Sequence, residues 1–123
     1  MYQIRSKHNI PVIKAIGVAD QIDVLGAKSY FDCADIILFD AKPSEKASLP
    51  GGNAIPFSWD LVADYSENIR WFLAGGLNPS NVSRAIRTTG ALAVDVSSGV
   101  EKELGQKDPK LIRAFIRSAK DIL

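Results

Sequence analysis

The chain has 123 residues, of which 15 are basic and 14 acidic, so its formal net charge is +1. This length suits one domain with a hydrophobic core, and the charge balance gives no electrostatic reason to expect nucleic acid or an anionic membrane as a partner. The apolar stretches are shorter than the ~20 residues that span a bilayer, and residues 1–10 lack the apolar segment of a secretory signal. Cys33 is a single cysteine, so the reducing cytoplasm is the expected compartment.

The first predicted unit is a strand followed by a helix, after an irregular segment over residues 1–10. Residues 11–18 (PVIKAIGV) are rich in β-branched side chains and predict a buried strand. Asp20 is a plausible N-cap for a helix that runs through Tyr30. Its apolar side is expected to carry Ile22, Leu25 and Tyr30.

The second unit begins with a strand over residues 34–39 (ADIILF), which is almost continuously apolar and is therefore expected to be covered on both faces. Asp40 ends this strand. Residues 41–56 are rich in Lys, Ser, Pro and Gly without periodicity, and a loop of that length is usually functional or disordered. A short helix is predicted over residues 59–65.

Two further units follow. Residues 70–74 predict a third strand, and Asn78 with Pro79 predicts the start of a helix through about Thr88. That helix is expected to bury Val82, Ala85 and Ile86. Residues 92–96 (LAVDV) predict a fourth strand.

A polar loop over residues 101–107 precedes the last helix, which Asp108 caps and Pro109 begins. Its helical stripe consists of Leu111, Ile112, Phe115, Ile116, Ala119, Ile122 and Leu123. Four βα units in sequence predict an α/β fold with a parallel sheet, which is either a small open sheet or half of a (βα)₈ barrel.

Candidate site residues lie where the predicted strands end, because the carboxyl ends of parallel strands form the functional end of such folds. Asp40 at that position is either a general acid or base, or an aspartate that caps a loop by accepting backbone amides. Gly75-Gly76 and Ser97-Ser98-Gly99 close two successive strands. Such turns are either tight connections or phosphate sites built from free backbone amides.

Asp95 interrupts an apolar strand and has the same strand parity as Ser97. Lys14 interrupts the first strand in the same way, so one interpretation is a buried Lys14–Asp95 pair that fixes the geometry of the sheet. The other is a hydrogen bond from substrate to Asp95. Four other residues are expected to be structural: His8 at the surface, Cys33 as a small buried hydrophobe, and Trp59 and Trp71 as core or lid anchors. The spacing of His, Cys and carboxylates predicts no metal site.

The segments ILFDAK (37–42), FLAGGLNPSNV (72–82), VDVSSGVE (94–101) and GQKDPKLIRAFI (105–116) resemble, in order and approximate spacing, the C-terminal half of phosphoribosylanthranilate isomerases. VIKAIGV (12–18) and GGNAIPFSW (51–59) extend the resemblance over nearly the whole chain. It implies that residues 1–123 form a single C-terminal half of a (βα)₈ TIM barrel.

The resemblance also implies an activity. That family converts an aminoaldose to an aminoketose by an Amadori rearrangement in tryptophan biosynthesis, without metal or organic cofactor. Asp40 matches the general acid, and Asp95 matches an aspartate that positions the substrate. Gly75-Gly76 and Ser97-Ser98-Gly99 match the phosphate-binding turns, and Gly51, Gly52 and Asn53 match the mobile loop that covers the substrate.

Two departures accompany the match. The family's mobile loop has a second glycine where Ala54 stands, and an aspartate where Ser58 stands. The general base of the family is a cysteine in a Lys-Ile-Cys-Gly motif on the first strand of the barrel, and Cys33 matches it neither in position nor in context.

The expected partners are a phosphoribosyl substrate and either a second half-barrel copy or an N-terminal half, and the chain alone is expected to be inactive. The alternative function is a non-catalytic half-barrel that binds phosphate or associates with itself.

Overall fold

A parallel three-stranded sheet in the order β1-β2-β3 forms the centre of the chain, here described by a computed structural model over residues 2–42 and 55–122. Its strands are β1 (Ile13–Val18), β2 (Ile36–Ala41) and β3 (Arg70–Leu73), and a hairpin comprises β4 (Glu101–Glu103) and β5 (Gln106–Lys107). The helices are α1 (Tyr2–His8), α2 (Gln21–Gly26), α3 (Val82–Thr89) and α4 (Pro109–Lys120). Short 3₁₀ turns cover Ala27–Tyr30, Trp59–Val62 and Ser98–Val100. In this part of the chain no helix is long and apolar enough to cross a membrane.

The two faces of the sheet differ in burial, because side chains alternate along each strand. The covered face packs under the helices and comprises Ile16, Val18, Ile37, Phe39 and Leu73, all buried. The opposite side, called the open face below, carries Ile13, Ala15, Ile36, Leu38 and Phe72, all exposed or half-buried. The expectations that the first strand is buried and that the second is covered on both faces are therefore wrong.

Helix α2 begins where the sequence predicts, but it presents a different side to the sheet. Asp20 accepts hydrogen bonds from the amides of Ile22 and Asp23, and Asp23 accepts one from the amide of Asp20 in return. This capping box satisfies amides that the first helical turn leaves unpaired. Ile22 and Leu25 were expected on the apolar side, but they are 76% and 61% exposed, whereas Val24 is buried. The helix ends at Gly26, too early for the predicted stripe to develop.

Residues 1–10 were expected to be irregular, yet residues 2–8 form α1. Arg5 ties this helix to the chain before β2, with its Nη2 atom 3.0 Å from Asp35 Oδ1 and its Nη1 donating to the carbonyl oxygen of Asp32. These contacts are tertiary, so the local sequence does not indicate them. His8 is exposed, as predicted.

Helix α3 begins at Val82 rather than at Pro79. Asn78 accepts hydrogen bonds from the amides of Ser80 and Asn81, so it caps a separate turn that precedes the helix. The predicted burial of Val82, Ala85 and Ile86 is confirmed.

Residues 92–96 form an extended segment with one parallel bridge, between Val94 and Leu73, instead of the predicted strand. Leu73 donates its amide to the carbonyl oxygen of Ala93, and Asp95 donates its amide to that of Leu73. The ladder stops there because β3 ends at Leu73 and the chain turns away through two glycines with positive φ. The observed fold is therefore α/β with a three-stranded parallel sheet and one extended neighbour.

The predicted polar loop over residues 101–107 contains the antiparallel hairpin β4–β5, which leads directly into α4. Asp108 caps α4 by accepting the amide of Lys110, and Pro109 is its first residue, as predicted. Phe115 and Ala119 are buried, and three stripe members are partly buried against the core: Leu111, Ile112 and Ile122. Ile116 is 47% exposed and does not join them, and Leu123 lies outside the described residues.

Candidate active site

Asp40 and Asp95 lie on the same side of the sheet, near its carboxyl end. Asp40 pairs in register with Gly17, which places it on the open face. Val94 pairs with Leu73 of the covered face, so the next residue, Asp95, belongs to the open face as well. Partial desolvation of its carboxylate, and after it the negative charge of Asp40, raises the pKa of Asp95 above its ordinary value, although the residue as a whole is exposed. The structure thus brings together the two carboxylates that the sequence singled out.

The predicted buried pair between Lys14 and Asp95 is not formed. Lys14 belongs to the covered face, where its Nζ atom lies 4.7 Å from the centroid of the Tyr30 ring, a cation–π contact. Asp95 lies on the open face and is exposed. The two side chains therefore occupy opposite sides of the sheet.

The Asp40 carboxylate is held against the turn that follows β3. Its Oδ1 atom accepts the amide of Ala41 at 2.7 Å, which is the contact expected of a capping aspartate. A Cβ atom on Gly75 would overlap the amide nitrogen of Ala41 and would lie 3.0 Å from that same Oδ1 atom. Gly75 has a φ of +92°, so glycine is required at this position both for space and for backbone conformation.

The two glycine-containing turns also contact each other. A Cβ atom on Gly99 would overlap the carbonyl oxygen of Leu77, which shows how closely the Ser97-Ser98-Gly99 turn packs on the chain after Gly75-Gly76. On its other side, Gly76 packs against Pro56, whose nitrogen would lie 2.5 Å from a Cβ atom. The two turns therefore form one continuous surface of backbone beside Asp40.

Gly99→Ala is expected to lower the free energy of unfolding by about 1–3 kcal/mol, because the new methyl group forces the two turns apart. Urea denaturation of both chains measures this difference. Gly26→Ala is the matched control, since open space surrounds Gly26 and its φ of −65° suits alanine. A Gly99→Ala chain within about 0.5 kcal/mol of the parent would contradict the close packing.

Asn81 is a site residue that the sequence reasoning missed. It is 9% exposed; its Nδ2 atom donates to the carbonyl oxygen of Gly76 at 2.9 Å, and its Oδ1 atom accepts the amide of Asn78 at 2.8 Å. Both ends of the amide group therefore hold the turn after β3 in place. An Asn at a helix start is a common cap, so the sequence alone does not distinguish this second use.

Lys107 and Glu101 were also missed. The Nζ atom of Lys107 lies 2.6 Å from Glu101 Oε2, and it donates to the carbonyl oxygen of Ser97 at 2.9 Å. The only sequence signal was the charge of residues 101–107, which the hairpin brings back against Ser97.

The remaining predicted residues fall into three groups. The lid residues Gly51, Gly52 and Asn53 lie outside the described residues. Cys33 is buried, as predicted, and Trp71 packs edge to face against Phe39 and Tyr65 under the sheet. Trp59 is half-buried, with Arg84 5.3 Å from its ring centroid. Among the described side chains, no group of three His, Cys, Asp or Glu residues could hold a metal ion.

The raised pKa of Asp95 predicts how stability depends on pH. The folded chain binds the Asp95 proton more tightly than the unfolded chain does, so ionisation of Asp95 costs stability above its folded pKa. That cost disappears as the pH falls below the ordinary value of 3.8. Asp95→Asn is therefore expected to raise the free energy of unfolding at about pH 7, with a difference that shrinks toward about pH 3.5.

Urea denaturation across this pH range measures the effect, and Asp32→Asn, at an exposed aspartate, serves as its control. A difference between Asp95→Asn and the parent that is constant with pH would show that Asp95 has no special environment.

A family model described as PRAI, N-(5'phosphoribosyl)anthranilate (PRA) isomerase, matches residues 1–118. The chain belongs to the phosphoribosylanthranilate isomerase family. It is 50% identical over 122 residues to the N-(5'-phosphoribosyl)anthranilate isomerase of Parvibaculum lavamentivorans, a match that covers 98% of this chain and 57% of that protein. The chain thus spans little more than half the length of this curated relative.

Solved structures of family members agree with this membership. The phosphoribosylanthranilate isomerase of Thermotoga maritima has a TM-score of 0.77 and 42% identity, over 94% of this chain and 54% of that one. A phosphoribosylanthranilate isomerase in complex with reduced 1-(o-carboxyphenylamino)-1-deoxyribulose 5-phosphate has a TM-score of 0.73 and 39% identity, over 94% and 51% of the two chains.

Proposed function

We propose that this chain supplies the acid and phosphate-binding half of a phosphoribosylanthranilate isomerase. The observation that carries the proposal is the placement of Asp40 and Asp95 beside two packed glycine turns, at one end of the sheet, in a member of this family. The substrate class is a phosphoribosyl anthranilate, and a relative crystallised with a reduced carboxyphenylamino-deoxyribulose phosphate supports it. The single cysteine, free and buried, suits a cytoplasmic enzyme.

The proposed chemistry assigns one role to each carboxylate. Asp40 protonates the ring oxygen of the ribose, the bond from that oxygen to C1 breaks, and the nitrogen lone pair forms a Schiff base. A base then removes the proton from the neighbouring carbon, which leads to the aminoketose. Asp95 orients the sugar by accepting a hydrogen bond from it. Asp95 lies close enough to Asp40 for the charge of Asp40 to affect its pKa, so both carboxylates can contact one substrate molecule.

The phosphate group is proposed to bind where the turns of Gly75-Gly76 and Ser97-Ser98-Gly99 meet. Backbone amides supply donors without a counter-charge, and glycine allows a ligand to approach the main chain closely. In barrels of this type, phosphate sites often lie after the last two strands. The lid residues Gly51, Gly52 and Asn53 are proposed to cover the substrate, from a segment whose end at Pro56 packs on Gly76.

We further propose that residues 1–123 form one domain of four βα units, half of a (βα)₈ barrel. A complete barrel has about 250 residues, and it buries the inner face that this chain leaves as the open face. The family's base belongs to the other half in this proposal, so the chain requires four more βα units for turnover.

An isomerase assay with and without a separately produced segment carrying the first four βα units of a family member tests this proposal. The chain alone is expected to give no turnover, and the mixture is expected to give measurable turnover. Absence of activity in a mixture that forms a stable complex would favour the alternative, a non-catalytic half-barrel whose open face serves self-association. Activity of the chain alone that survives Cys33→Ala would show that another group acts as the base.

A further inference from the structure

The Lys107–Glu101 pair contacts the proposed phosphate turn at Ser97. Besides Glu101 Oε2, Lys107 Nζ lies 2.9 Å from the carbonyl oxygen of Ser97 and 3.3 Å from its hydroxyl oxygen. An ammonium group has three N–H donors, and three acceptors face this one. Lys107 is therefore already engaged by the protein rather than directed at a ligand.

Glu101 is built into the same arrangement. Its side chain is 11% exposed, and its Oε1 atom accepts the amide of Gly105 at the tip of the hairpin while Oε2 binds Lys107. The hydrogen bond from Lys107 lowers the pKa of Glu101, so this carboxylate remains ionised. By itself, a negative charge next to a phosphate site opposes phosphate binding. The presence of Glu101 there is explained if its carboxylate serves to hold the Lys107 ammonium group in place.

The residue that follows the hairpin also holds the other end of the Ser98–Val100 turn. Asp108, the residue after β5, donates its amide to the carbonyl oxygen of Val100 at 2.8 Å. Lys107 thus fixes the residue before the Ser98–Val100 turn, and Asp108 fixes its last residue. Between these two anchors, Gly99 packs against Leu77.

We infer that Lys107 and Glu101 are positioning residues that hold the Ser97-Ser98-Gly99 turn in the conformation in which its amides bind phosphate. This inference rests on the proposed function, since it presumes a phosphate at that turn. Lys107 acts through the Ser97 carbonyl and hydroxyl groups, and Glu101 acts through Lys107. The pair contributes no net charge, so its effect on phosphate affinity is geometric.

Whether Glu101→Ala weakens or tightens phosphate binding distinguishes this positioning role from a purely electrostatic one. If the two side chains acted only by charge, removal of the negative Glu101 would tighten phosphate binding. If they hold the turn, Glu101→Ala and Lys107→Met both weaken it, by about tenfold, as losses of supporting contacts behind a binding group do. Lys102→Met is the matched control, because Lys102 is an exposed lysine of the same hairpin.

Titration of inorganic phosphate into the ¹⁵N-labelled chain, followed at the amides of Gly76, Ser98 and Gly99, measures these affinities. The expected result is weaker binding in Glu101→Ala and Lys107→Met with no change in Lys102→Met. Unchanged or tighter binding in Glu101→Ala would overturn the inference while leaving the phosphate site itself intact.

If the parent chain shows no response to phosphate, the proposed function fails, and the claim that Lys107 and Glu101 hold the turn is tested separately in the ligand-free chain. Backbone ¹⁵N relaxation of Ser98 and Gly99 should then show greater mobility in Glu101→Ala and Lys107→Met than in Lys102→Met. Equal mobility in the three variants would overturn it.

Discussion

Asp40→Asn is expected to reduce turnover of the completed barrel by about 10²–10⁴-fold, the usual contribution of a general acid. Asparagine occupies nearly the same volume and can still accept the amide of Ala41, so the turn beside Gly75 should keep its structure. It lacks an acidic proton for the ring oxygen of the substrate. The loss should therefore fall on kcat much more than on KM.

Steady-state kinetics of the chain mixed with a complementary half-barrel measures this effect. Asp32→Asn, at an exposed aspartate outside the strands of the sheet, is the control and should leave both constants unchanged. Asp95→Asn provides a contrast, because a residue that positions the substrate should raise KM as well. Turnover of Asp40→Asn within about threefold of the parent would remove Asp40 from the role of acid, since that is far below the usual contribution.

The stability and activity effects of Asp95 are expected to oppose each other. Ionised Asp95 is unfavourable in the folded chain, because partial desolvation and the charge of Asp40 both disfavour its negative form, and this raises its pKa. Asp95→Asn should therefore stabilise the fold at neutral pH while weakening the site. Such a loss of stability in return for activity is common where a functional site needs groups that destabilise the folded chain.

The sequence predicts well those parts of the fold that depend on interactions between residues only a few positions apart. Asp20 and Asp108 each cap a helix through amides two or three positions away, and both caps are confirmed. The predicted burial of Val82, Ala85 and Ile86 follows from one helical period and is also confirmed.

Two errors are local, the predicted start of α3 at Pro79 and the predicted apolar side of α2. The others concern contacts between distant segments. Whether Lys14 can meet Asp95 depends on the register of the strands that lie between them, and the alternation within one strand leaves that open. The hydrogen bond from Lys107 to Ser97 joins residues ten positions apart and depends on the hairpin that brings them together. Asp40 was identified because it ends an apolar strand and Asp95 because it interrupts one, but their shared face follows only from the strand register and the Val94–Leu73 bridge.

The chain alone is expected to form a dimer through its open face. Ile13, Ile36, Leu38 and Phe72 present a contiguous apolar surface on the sheet, and Ile13 is 50% exposed. Two edges accompany it in the described sheet, one at β1 and one at residues 92–96, where backbone groups can pair with another chain. Exposed apolar surface of this kind drives association, and a second copy offers the same face.

Light scattering at micromolar concentration measures the mass, which is expected to be twice the 13.3 kDa of one chain. Leu38→Asp and Ile13→Asp place a charge on the open face, so both should shift the equilibrium to the monomer by at least tenfold, because a charge buried without a partner costs more than 1.4 kcal/mol.

Ile22→Asp is the matched control. Ile22 is 76% exposed on α2, outside the open face, so this variant should remain a dimer. A parent chain that is monomeric at micromolar concentration would show that the open face does not drive association. Equal dissociation in Ile22→Asp and Leu38→Asp would place the contact on the helical side of the sheet instead.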